Sequence, residues 1–233
     1  MLGGRLFSQQ RISRLLTLLV TGIIGASGCL PITPLPPPVQ DESLVTTKPC
    51  LPPCWYGIYP GQTTLEEAIE IVKGLSFVDP DSVARSTRSL TRGNDEAVNW
   101  RYIGARDEIH GGRMEARQGT VVWLWVSLPR KLKLADVLVT QGKPDLVDVV
   151  PNPEITIYHF RFFYERGLVI RGSRGYAGSK GGRERATLSP DIAINEAEYF
   201  APRDLVSYLI EMQGHSEEAA REIADFYQPW PGL

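Results

Sequence analysis

Apolar residues recur at helical spacing in two stretches of the chain. In the first, Leu65, Ala68, Ile69 and Val72 share one face, with Thr64 just before them and Glu67 three residues after it. A hydroxyl side chain followed at that distance by a glutamate satisfies two free backbone N–H groups at a helix start, and Gly74 suits the stop. In the second, "LKLADVLVTQGKPDLV", Leu134, Val137 and Leu138 share a face. Gly142 and Pro144 then end the helix and begin an extended stretch.

After each helix the period shifts to two. Residues 98–103 read as a strand, and 113–128 as a hairpin turning at Gln118 and Gly119. Beyond the second helix come 145–150, 154–164 and 167–172, the last two joined at Glu165-Arg166-Gly167. The alternation in "ITIYHFRF" is that of a half-buried antiparallel strand. A helix and then a meander, twice over, predicts an α+β fold with amphipathic helices packed on antiparallel sheet. The repeat-like units cover about 55–128 and 131–171.

The last third is patterned differently. Residues 171–186 are rich in glycine and carry Arg171, Arg174, Lys180, Arg183 and Arg185 against one acid, Glu184. They read first as a flexible hairpin tip or disordered insertion; the functional alternative is a basic patch that attracts anionic headgroups or acidic envelope polymers. A helix follows with Pro202 in its first turn and Leu205, Tyr208, Leu209 and Met212 on one face. Ser216 caps a final helix, and the two together occupy 202–227; Trp230, in the extended tail, is expected to pack back on the body.

The first 14 residues carry Arg5, Arg11 and Arg14 and no acid, and residues 15–26 are uncharged and mostly apolar. That is the build of a secretory signal, and it is shorter than the roughly 20 apolar residues of a membrane span. It ends Ala26-Ser27-Gly28-Cys29, which resembles the lipobox of bacterial lipoproteins, with Ala26 in place of the usual leucine. The resemblance implies a signal peptide at 1–28, cleavage between Gly28 and Cys29, and a lipid anchor (palmitate among its acyl chains) on Cys29. It places the protein outside the cytoplasm on the cell membrane, and Leu30 implies the outer membrane if the host has two. The alternative is an ordinary signal with Cys29 incidental.

Prolines at 31, 34, 36, 37, 38 and 49 make residues 29–49 a semi-rigid, Pro-rich tether in front of a folded domain at 50–233. Three cysteines is an odd number, and lipidation of Cys29 leaves Cys50 and Cys54 as a pair. Outside the cytosol such a pair is expected to form a disulfide. Its spacing is one residue longer than the redox C-x-x-C, and no second ligand pair suggests a metal.

Around this pair a second resemblance stands. Cys54, Trp55, Gly57, Ile58, Pro60, Gly61 and Thr63, continued by Glu67, Ala68, Gly142, Pro144 and Asp145, are similar to the small SmpA/OmlA, or BamE-like, lipoproteins. They also look like uncharacterised bacterial lipoproteins with "PCW-x-GI-x-PG-x-T" after a lipobox. The resemblance covers about 100 residues and implies two BamE-like helix–strand units. Its motifs are structural, so it carries fold better than function.

Charge and chemistry narrow the function. A net charge of −2 offers no basic face for nucleic acid. His110, His159 and His215 are far apart, no H-E-x-x-H or G-x-S-x-G occurs, and "GSKGG" lacks the spacing of a phosphate loop. No catalytic residue, cofactor or metal is implied. Trp123 and Trp125, two apart, face the same side of a strand. Such a pair is commonly core under helices, but in a cleft with Arg171 or Arg174 it would mark a glycan site. The candidate binding residues are therefore Trp123, Trp125, Arg171, Arg174, Lys180 and Arg183. The leading expectation is a non-enzymatic, lipid-anchored envelope protein that binds a protein partner. A module for cell-wall glycan or anionic polymer comes second, and an envelope hydrolase third.

Overall fold

The computed structural model describes residues 41–86, 96–105, 110–152, 157–175 and 188–233, without the side chains of 129–131. Cys29, the signal segment and residues 29–40 of the tether lie outside the described residues, as do Lys180 and Arg183.

Gln118 and Gly119 both take positive φ, 51° and 74°, and so turn β3 (Gly111–Arg117) back into β4 (Thr120–Lys133). Two residues of that handedness match the twist of the strands they join. Gly167, at φ 99°, closes the turn between β6 (Ile157–Tyr164) and β7 (Leu168–Gly175). A Cβ there would come within 2.0 Å of the Phe200 carbonyl oxygen, so only glycine fits.

With β1 (Ala84–Ser86), β2 (Glu96–Arg101), β5 (Leu146–Asn152), β8 (Ala193–Phe200) and β9 (Gln228–Pro229), these strands form one nine-stranded sheet among the described residues. Its order is β1-β2-β3-β4-β8-β7-β6-β5-β9, and every neighbouring pair is antiparallel.

This overturns the expected α+β layering of helices on sheet in two BamE-like units. A single large antiparallel sheet dominates, and among the described residues the helices are few and short, the longest with 10 residues. The cause is β8, which pairs β4 on one side and β7 on the other and so fuses the two meanders edge to edge. Local propensity in "AINEAEYF" does not announce a strand, because Ile194, Tyr199 and Phe200 are outnumbered by alanine, asparagine and glutamate, which are poor strand formers on their own. The supply of partners on both edges decides it.

The helices are α1 (Ser43–Thr46), α2 (Leu65–Gly74), α3 (Leu134–Gln141), α4 (Leu205–Glu211) and α5 (Glu217–Ala224). Thr64 caps α2 with the reciprocal Glu67 bonds its spacing predicts. α4 differs from expectation: its cap is Asp204, whose carboxylate accepts from the Ser207 N–H at 2.9 Å, so Pro202 lies outside the helix. Trp230 packs edge-on against Phe162, with ring centroids 6.2 Å apart.

Residues 41–49, read from sequence as the end of the tether, enter the folded body. Leu44 is buried, and its carbonyl accepts from Gln141 Nε2 at 2.7 Å and Thr140 Oγ1 at 2.9 Å. Buried Asp41 accepts from Trp55 Nε1 and from the Ser43 N–H, each at 2.9 Å. Cys50 and Cys54 are joined in a disulfide just beyond.

One face of the sheet carries the larger apolar core. Trp100, Met114, Leu124, Phe160, Phe162, Ile170 and Tyr199 meet Leu44, Trp55 and the apolar stripes of α2 and α3 there. The opposite face is closed only in part. Leu205, Tyr208 and Leu209 of α4 and Ala220 of α5 meet Phe163, Val169, Phe200 and Trp123. Beside that cluster the face is left polar.

Candidate binding cleft

Strand alternation sets the floor of this polar region. Cross-strand partners on one face form the row Asn99, Arg113, Trp125, Glu198, running from β2 to β8. The next row is Ala97, Glu115, Trp123, Phe200. On the other side of the first row lie Ser127, Glu196, Arg171, Arg161 and Asp148, one residue from each of five strands. A register shift just after Arg171 accompanies this row. Such bulges re-aim side chains beside functional sites.

The rows enclose a cleft of about 860 Å³, whose lining includes Trp123, Trp125, Arg171, Arg113, Glu198 and Gln213. Its size falls within the roughly 300–1,000 Å³ of small-molecule sites. Asp81 and Arg101 lie exposed at its edge.

Glu198 is the hub, with no solvent exposure. Its Oε2 accepts from Trp123 Nε1 at 2.9 Å, Tyr208 Oη at 2.8 Å and Gln213 Nε2 at 3.4 Å, while its Oε1 forms an ion pair with Arg171. Trp125 Nε1 donates to Glu196 at 3.2 Å. Glu115, also unexposed, accepts from Arg113 Nε at 3.0 Å, and Arg113 Nη1 donates to Asn99 Oδ1 at 3.0 Å. A buried carboxylate is stable only when paired and hydrogen-bonded in this way.

Burial disfavours the Arg171 charge, yet Glu198, Tyr208 and Glu196 together outweigh it, and the Arg171 pKa is raised. Burial, reinforced by the Glu198 charge, pushes the Tyr208 hydroxyl well above its ordinary value, so it stays a neutral donor. Both groups keep their protonation throughout the physiological range.

Of the sequence candidates, Trp123, Trp125 and Arg171 come together here. Trp123 is 6% exposed beside α4 and Trp125 is half-buried. Arg174 is exposed near the end of β7 and does not line the cleft. The hub glutamate, Glu115 and Arg113 are absent from the sequence reading, and Tyr208 enters it only as part of the apolar face of its helix. The one signal for Glu198 is the i, i+2 pair Glu196 and Glu198, legible only once β8 is known to be a strand. No family model, no curated protein and no solved structure matches this chain.

Proposed function

We propose that the protein is a lipid-anchored, non-enzymatic binding module of the cell envelope, and that its cleft takes a cell-wall glycan. The convergence of Trp123, Trp125 and Arg171 in one cleft carries this reading. A sugar ring has an apolar C–H face and a rim of hydroxyls. Indole surfaces suit the first, and guanidinium, carboxylate and amide groups hydrogen-bond the second. With both indole N–H groups committed to Glu198 and Glu196, half-buried Trp125 offers its carbon surface to the cleft, while Trp123, 6% exposed, backs it from the core under α4.

The anchor rests on Ala26-Ser27-Gly28-Cys29, with Cys29 carrying the acyl chains and the following prolines holding the body off the bilayer. A hydrolase is less well supported. Glycoside hydrolysis needs one carboxyl to protonate the leaving group and another to face the sugar. Glu115 and Glu198 are instead held by arginines and buried donors.

A protein partner is the second reading. It is favoured by a groove of about 420 Å³ where exposed Phe226 and Leu233 meet Val147, Val149 and Leu188. Co-sedimentation with purified cell wall separates the two. Retention that is lost in Trp125→Ala supports the glycan; equal retention of wild type and variant would sink the cleft reading. Crosslinking to an envelope protein that depends on Phe226 would favour the second. Cys29→Ala is expected to abolish incorporation of labelled palmitate, and continued labelling would refute the anchor.

A further inference from the structure

We infer that the cleft selects an uncharged glycan over a polyanionic one. This rests on the binding reading above and sharpens it to a substrate class. Three arginines, Arg101, Arg113 and Arg171, line the cleft. Two of them are already neutralised: Arg171 by Glu198, and Arg113 by Glu115 two residues along the same strand. Asp81 shares the exposed edge with Arg101, and Glu196 adds a further acid beside Trp125. The three arginines thus face four carboxylates, Glu198, Glu115, Asp81 and Glu196, and no net positive field remains to hold a chain of acidic sugars.

The acids are also the wrong groups to meet a sugar carboxylate. Glu198 has no exposure and is held on both oxygens, so it cannot move aside. A sugar acid over Trp125 would meet the half-buried Glu196 carboxylate and be repelled. Hydroxyl groups meet no such conflict, because they donate to carboxylates and accept from guanidinium and amide N–H groups. The exposed Arg174 stands outside the cleft and does not change its balance.

Calorimetric titration of the full-length protein in detergent tests this. The uncharged probes are chitohexaose, cellohexaose and maltohexaose, and the charged probe is hexagalacturonate. At least one uncharged probe is expected to bind about tenfold or more tighter than hexagalacturonate. Its affinity should change by less than about twofold between about 50 and about 500 mM NaCl, since no ion pair is screened. Tighter hexagalacturonate binding that weakens steeply with salt and is lost in Trp125→Ala would overturn the inference while leaving the cleft reading standing. No binding of any probe, or binding untouched by Trp125→Ala, would overturn both. As a second variant, Asp81→Lys is expected to strengthen hexagalacturonate binding several-fold at low salt. An unchanged affinity would overturn the charge-balance argument.

Discussion

On one face of the sheet, Trp55 stacks on Trp100 with centroids 5.7 Å apart, and Phe160 on Phe162 at 6.2 Å, in a core built of apolar side chains. On the other, Glu115 and Glu198 are buried as completely as those rings, each held by an arginine. The same strands supply both faces, so the difference lies in what covers them. The first face carries contiguous apolar cover. The second is covered by α4 and α5 at one end and open at the other, and its charges sit where the cover stops. Burying a paired charge adds little to stability compared with a hydrophobic contact, so the two faces are expected to contribute unequally to the stability of the fold.

The largest expected effect sharpens this contrast on the apolar side. Phe162→Ala, with no exposure in the wild type, should lower the unfolding free energy by about 3–5 kcal/mol in urea titration. A loss under about 1 kcal/mol would mean that face is not the stabilising one. On the polar side, Arg171→Met should cost about 3 kcal/mol by leaving Glu198 buried and unpaired. Arg171→Met combined with Glu198→Gln, which removes the charge but keeps an acceptor for Trp123 and Tyr208, should recover most of that loss while abolishing glycan binding. Failure of the double variant to recover would show that the pair stabilises the fold in its own right.

Asp41 tests the apolar face from the one buried carboxylate it has among the described residues. Burial raises its pKa, against the hydrogen bonds from Trp55 and Ser43. The folded protein therefore binds this proton more tightly than the unfolded chain does. Its contribution to stability is complete below the ordinary carboxylate range and is lost as pH rises through the raised folded value. Asp41→Asn should remove that slope from the pH profile of the melting temperature; an unchanged slope would assign it to another group. The smallest expected effect is Thr64→Ala, which removes the α2 cap and should cost about 1 kcal/mol.

The parts of the fold legible in the sequence were those with short-range causes. Thr64 and Glu67 announce a helix start, Gln118-Gly119 a turn, and Trp123 and Trp125 a shared strand face. Asp204 shows how close competitors mislead: proline at 202 fits a first turn, but a carboxylate two residues later captures the free N–H of Ser207. Residues 41–49 carry a proline and polar side chains that resemble the tether, and only contacts with Gln141 and Trp55 draw them into the body.

By itself the sequence determined the local elements, the pairing of cysteines 50 and 54, and the common side of the two tryptophans. Each follows from residues within a few positions of one another, where backbone geometry and hydrogen bonding leave few choices. Only the tertiary structure decided that β8 joins the two meanders and that Glu198, 75 residues from Trp123, becomes its hydrogen-bond partner. Strand pairing over such a distance is set by burial across the whole sheet, and no local pattern encodes it.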